Sequence, residues 1–177
     1  MSQQFSVDRE RIQHLPEGPL KLGRLALWWL RKTFFSKPKP PNRAVFVEMT
    51  EQELVELLGP VHFEPAWEFS YSYRNEALNL RRVEYVADHP LGYEWWQVHL
   101  RGYEHPDRFE LAAHFELEPT EYPSAHVGHV GLDVERGNEA LMAVLDAAGV
   151  AYDYLNPDGT PARRSATDAT SGPDSIA

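Results

Sequence analysis

Cysteine is absent from the 177 residues of this chain. Its absence excludes a disulfide framework, thiolate zinc ligands and a cysteine nucleophile, and it leaves the redox compartment open, since a secreted protein need not carry cysteine. Long apolar runs are missing as well: no stretch approaches the roughly 18–20 residues of a membrane span. The opening MSQQFSVDRERIQH lacks the apolar centre of a signal peptide, so the expected location is cytoplasmic. The sequence also has no phosphate-binding P-loop, no GxGxxG, no GxSxG elbow, no HExxH and no internal repeat. Most large enzyme classes thereby lose their usual signature, although active sites also assemble from residues scattered along a chain.

What is present suffices for one domain with a hydrophobic core: 42% of the residues are hydrophobic and 12% aromatic. Charge is unevenly spread. Residues 1–43 hold nine Lys or Arg against three Asp or Glu, a balance of +6, whereas residues 44–177 hold eight basic and 24 acidic residues, or −16. The leading segment is therefore suited to an anionic neighbour, whether lipid headgroups, nucleic acid or the acidic body of its own chain. Nucleic acid is the least favoured of these, because the body would repel a phosphate backbone and the basic residues are confined to one short segment.

Residues 1–17 are polar and read as a flexible N-terminus. The segment 19–35, PLKLGRLALWWLRKTFF, gathers Lys21, Arg24, Arg31 and Lys32 on one arc of a helical wheel and spreads its leucines and Phe34 over the rest. It reads as a basic amphipathic helix, and Pro38, Pro40 and Pro41 then impose an extended linker, so the unit 18–42 stands before the main domain. Trp28 beside Arg31 and Lys32 is what an interfacial helix sets among lipid headgroups, or what a docking helix sets on another protein.

The main domain is expected over 43–155. A strand at 43–49 leads to Thr50-Glu51-Gln52-Glu53, a capping box, and Leu54, Leu57 and Leu58 form the inward stripe of a helix that Gly59-Pro60 ends. Strict alternation over 66–74, 93–103 and 108–118 predicts half-buried strands, while 78–87 slips parity, which a β-bulge near Arg81-Arg82 would explain. Short, turn-rich links make these an antiparallel meander. After a loop at 119–132, a helix over 133–148 is capped by Asp133 or Asn138 and closed by Gly149, and a strand at 150–155 follows. From Asn156 the composition is small and polar, which predicts a disordered tail over 156–177. The fold class is α+β: a four- to five-stranded, mostly antiparallel sheet with helices on one face, preceded by the N-terminal helix.

The second face of that sheet is polar and is expected to look outward. A turn at Glu104–Asp107 would pair Arg101 with Glu110, His99 with Ala112, Gln97 with His114 and Trp95 with Glu116. Alternation sends His99, His114 and Glu116 to one side, where two imidazoles and a carboxylate can hold a metal with open positions or act as an acid/base pair. Against this stands the roughly 7–8 Å that separates diagonal neighbours at their backbones. A second cluster, His126 and His129 with Asp133 nearby, has an i, i+3 spacing that could offer two nitrogens to a metal, but Asp133 already serves as a helix cap and structural zinc normally wants four ligands.

The leading expectation is a small, non-enzymatic interaction module. It would bind a protein partner through the sheet face (Trp95, Gln97, His99, Arg101, Tyr103) or through the basic helix (Trp28, Arg31, Lys32), with a membrane surface as a further partner of 19–35. The alternative is a metal-dependent or acid/base hydrolase using His99, His114 and Glu116. No cofactor is expected beyond the divalent metal those residues would admit. A pocket gathering the trio would favour the enzyme, and a flat exposed face with the histidines apart would favour the module.

Overall fold

A computed structural model describes Pro38, residues 43–66, Tyr73, 76–156 and 159–165. The basic helix expected at 19–35, the flexible N-terminus expected at 1–17 and the strand expected at 66–74 fall on residues outside those described, apart from Ala66 and Tyr73. Pro41–Phe69 and Asn75–Ala177 form one compact unit.

Along this unit run β1 (Val45–Val47), α1 (Glu51–Leu58), a 3-10 turn (Gly59–Val61), β2 (Glu64–Pro65), β3 (Glu76–Tyr85), β4 (Trp95–Glu104) and β5 (Phe109–Leu117). After these come α2 (Pro123–Val127), α3 (Val134–Ala147), β6 (Tyr152–Leu155) and β7 (Pro161–Arg164). The class is α+β. The strands form one open antiparallel sheet in the order β2-β3-β4-β5-β1-β6-β7, larger than the four or five strands expected. Strands β3, β4 and β5 are a meander of long, consecutive partners, and β1 inserts between β5 and β6. Residues 161–164, which composition assigns to a coreless tail, pair with β6 instead. No helix among the described residues is long and apolar enough to cross a membrane.

The helices form for local reasons. Thr50 Oγ1 accepts from Glu53 N while Thr50 N donates to Glu53 Oε2 (2.8 Å), so α1 opens on a complete capping box. Asp133 Oδ1 accepts from Arg136 N at 2.9 Å and caps α3, and Gly149 leaves that helix at φ 67°, a conformation that costs glycine little. Helix α2 falls inside the segment read as a loop; it is a single short turn started by Pro123, with no periodicity to announce it.

One side of the sheet is the core. Trp96, Val98 and Leu100 of β4 alternate inward with Phe109, Leu111, Ala113, Phe115 and Leu117 of β5, and Leu54, Leu58, Leu141 and Leu145 of α1 and α3 join the same cluster. Phe115 stacks on Trp96 with centroids 4.9 Å apart. Gly137 of α3 sits so close to β5 that a Cβ there would lie 2.2 Å from His114 Cα. The helix is thus seated on the backbone of the residue whose side chain points the other way.

Two expectations about register are corrected. The β3–β4 pairing runs unbroken from Leu78 to Tyr85, and its irregularity lies between Glu76 and Leu78, not at Arg81-Arg82. Parity looks slipped in the sequence because the core-side positions at the sheet's end are taken by Arg82, whose guanidinium lies 5.1 Å from the Phe63 ring centroid, and by its ion-pair partner Glu84. The β4–β5 hairpin pairs residues two positions further on than expected: Glu104 stands opposite Phe109, His99 opposite His114 and Gln97 opposite Glu116. A two-residue turn at His105-Pro106 would need a positive φ at its first central residue in either favoured hairpin type, and type I′ would demand one of Pro106 too, which the ring forbids. The chain closes instead around a four-residue loop, with His105 N donating to Arg108 O at 3.0 Å.

Candidate metal centre

The two-residue correction preserves parity and brings the polar residues face to face. A shift by an even number leaves every side chain on its own side of a sheet. His99, His114 and Glu116 therefore share a face, as alternation predicts, and His99 and His114 become direct cross-strand neighbours with ring centroids 5.0 Å apart. Residues His114 and Glu116 are one pleat apart on β5, and Gln97 occupies the fourth corner of the quadrilateral.

At the centre is the Glu116 carboxylate. Its Oε1 accepts from Gln97 Nε2 and faces His99 Nδ1, both at 2.8 Å, and its Oε2 lies 3.2 Å from His114 Nε2. His126, carried by α2, comes within 3.6 Å of the same Oε2 while its Nδ1 faces Leu117 O at 2.8 Å. One ligand atom from each of His99, His114 and Glu116 falls within 4.8 Å of the others, and among the described residues they are the group of three or more so placed.

A further line of side chains holds the back of His99. Arg101 Nη1 donates to Glu76 Oε2 at 2.6 Å, and Asn79 Nδ2 donates to Glu76 Oε1 at 3.1 Å. Reversing the Asn79 amide would set two oxygens against each other, so Oδ1 is the atom turned to His99 Nε2, at 2.8 Å. Both nitrogens of His99 thus face acceptor oxygens. Burial above all, then Arg101 and His114, push His99 down to about 4 against the upward pull of Glu116. At neutral pH the ring is neutral and has a single N–H to give. Given to Glu116, it steadies the carboxylate; turned to Asn79 when a cation arrives, it frees the Nδ1 lone pair to join the carboxylate oxygen as a ligand. Burial pushes Glu116 upward, but its hydrogen bonds with His114 and His99 prevail and hold the carboxyl well below its ordinary range, so it is the anion of the group.

The expectation that this face looks outward is corrected. Gln97, His99, Arg101, Tyr103, Glu110 and Glu116 are each less than a tenth exposed, and His114 and Trp95, the latter edge-on to Tyr85 at 5.1 Å, are partly buried. Arg101 stands opposite Ala112 and pairs with Glu76, not across to Glu110, which takes Nε2 of His105 at 2.8 Å. Trp28, Arg31 and Lys32 lie outside the described residues. His126, His129 and Asp133 are not drawn into a metal-holding group: His129 is an exposed residue at φ 54°, and Asp133 is engaged as the α3 cap and as the backbone partner of Phe115. A surface cavity of about 140 Å³ is bordered by Phe46, Arg108, Tyr152 and Arg163, and none of the trio borders it.

Sequence reasoning missed Asn79 and Glu76, which orient His99, and the approach of His126. Asn79 has the parity to be found, but a bulge set at Arg81-Arg82 breaks the count from β4; Glu76 reaches this face only through the irregularity that follows it. Compared with protein-family models, with curated protein sequences and with solved structures, the chain matches none.

Proposed function

We propose that the chain holds a divalent cation on His99 Nδ1, His114 Nε2 and a Glu116 oxygen, and that hydrolysis is the reaction such a centre would serve; the surface cavity bordered by Phe46 and Arg163 is no part of it. The observation that carries this reading is the convergence of those three ligand atoms within 4.8 Å, on adjacent strands of a rigid sheet. Its chemistry supports it further. A ligating imidazole usually donates its other N–H to a fixed acceptor, and Asn79 Oδ1, itself held through Glu76, is that acceptor for His99. Two imidazoles and one carboxylate, with no thiolate, suit Zn²⁺, Mn²⁺, Fe²⁺ or Co²⁺ and not a soft monovalent ion. When bound, such a metal would supply a Lewis acid and lower the pKa of its water toward neutrality. The chain's contribution is to fix the ligands and to keep the surroundings dry; His114, 14% exposed, is the least buried of the three side chains. The partner-binding reading asks Gln97, His99, Arg101 and Tyr103 to meet another surface, and their burial gives it no support on this face.

The test is thermal unfolding of the full chain, stripped with chelator and titrated with Zn²⁺ or Mn²⁺. Binding at a hundred times the dissociation constant adds about 2.7 kcal/mol of stability, so the melting temperature rises by several degrees, and His114→Ala or Glu116→Gln removes the rise. No metal-dependent shift up to millimolar metal overturns the assignment.

A further inference from the structure

The corners of the quadrilateral are four, and the reading above uses three. Gln97 stands directly opposite Glu116, as His99 stands opposite His114, and it is only 2% exposed. Its Nε2 donates to Glu116 Oε1 at 2.8 Å, while its own Oε1 is buried and meets no hydrogen-bond donor. A buried amide oxygen without a donor is uncommon in a folded protein. Reversing the amide brings Oε1 to the position of Nε2, 2.8 Å from Glu116 Oε1, a facing of two oxygens that a shared cation would relieve. In either orientation the pair carries one more acceptor than the neighbouring protein groups satisfy.

We infer that Gln97 is a fourth protein ligand, through its amide oxygen, to the cation held by His99, His114 and Glu116. This rests on the metal reading and sharpens it. The donor set becomes two imidazole nitrogens, one carboxylate oxygen and one neutral amide oxygen, so a divalent ion keeps a net charge of +1 at the site. Four protein ligands fill a tetrahedral ion, whereas an ion that takes six keeps two positions for water and substrate. The chemistry therefore favours Mn²⁺, Fe²⁺ or Co²⁺ as the working metal and makes Zn²⁺ a tight but poorly active occupant.

Cobalt(II) tests this directly, because its visible absorption reports coordination number and ligand type independently of activity. The full chain, Gln97→Leu and Gln97→Glu are titrated with Co²⁺, and each is melted without metal to verify its fold. The expected result is a loss of at least tenfold in Co²⁺ affinity and an altered visible spectrum in Gln97→Leu, with affinity restored or tightened in Gln97→Glu, whose carboxylate can take the same position. Unchanged affinity and spectrum in Gln97→Leu would mean that the amide oxygen is served by water alone, and would overturn the Gln97 assignment while leaving the three-ligand site intact. Failure of the wild-type chain to bind Co²⁺ at millimolar concentration overturns both. Should Gln97→Leu not fold, the Gln97→Glu arm decides: weaker binding than wild type overturns the assignment, and equal or tighter binding with a shifted spectrum upholds it.

Discussion

Gly137 carries no side chain because the backbone of His114 occupies the space one would need. A Cβ built there meets His114 Cα, C and N at 2.2–2.5 Å, and backbone atoms cannot swing aside. Glycine inside a helix costs about 1 kcal/mol relative to alanine, yet here it lets α3 lie directly on β5, on the far side of the strand from the imidazole. The substitution Gly137→Ala, a gain in an isolated helix, is expected to destabilise the fold by roughly 2–3 kcal/mol through overpacking. Chemical denaturation measures it; an unchanged or raised midpoint would show that α3 can lift off the strand without penalty. Metal-induced stabilisation should weaken in the same variant, since His114 moves with its backbone. At this scale the sequence is legible in part. It names His99, His114 and Glu116, because period-two alternation needs only that the strands exist. It does not name Gly137, because a glycine required by close approach looks like any other glycine until the opposing strand is placed.

Strands and turns carry the next level of information, and here the reading divides cleanly. Long alternating runs such as 109–117 are legible because every second residue must be apolar to cover the core. Register is not, since it depends on how many residues the turn consumes, and Pro106 lengthens that turn from two residues to four. The two-residue difference is what turns diagonal histidines, too far apart for one ion, into facing ones. Strand β7 is illegible for another reason: Pro161–Arg164 buries no large apolar side chain, so it has no pattern, and it is held by the four-residue pairing with β6 and by Arg164 Nε at 3.4 Å from Asp146 Oδ1. A chain ended at residue 156 should be less stable than one ended at 165 by about 1–2 kcal/mol, the sum of a few exposed cross-strand pairs. Equal denaturation midpoints for the two would return 161–164 to the status of a tail that contributes nothing.

Over the whole molecule the dominant fact is charge, a formal −10 with the +6 segment at 1–43 set against −16 in the remainder. Such an excess opposes compaction through self-repulsion and at the same time raises the local concentration of cations. The ion pairs closest to the site, Arg101–Glu76 and Arg81–Glu118, have side chains no more than 22% exposed and feel dissolved salt less than the surface does. Two responses to sodium chloride of opposite sign follow. Without metal, raising salt from about 10 mM to about 500 mM shortens the screening length from roughly 30 Å to under 8 Å and should raise the melting temperature by a few degrees, because repulsion is screened more than attraction. Over the same range, affinity for the divalent ion should fall by about three- to tenfold, because the long-range field that gathers cations is screened as well. Calorimetric melting and metal titration at matched salt measure the pair. A melting temperature that falls with salt would place the balance with the surface ion pairs; a metal affinity indifferent to salt would confine the attraction to the ligands themselves and deny the acidic body any part in it.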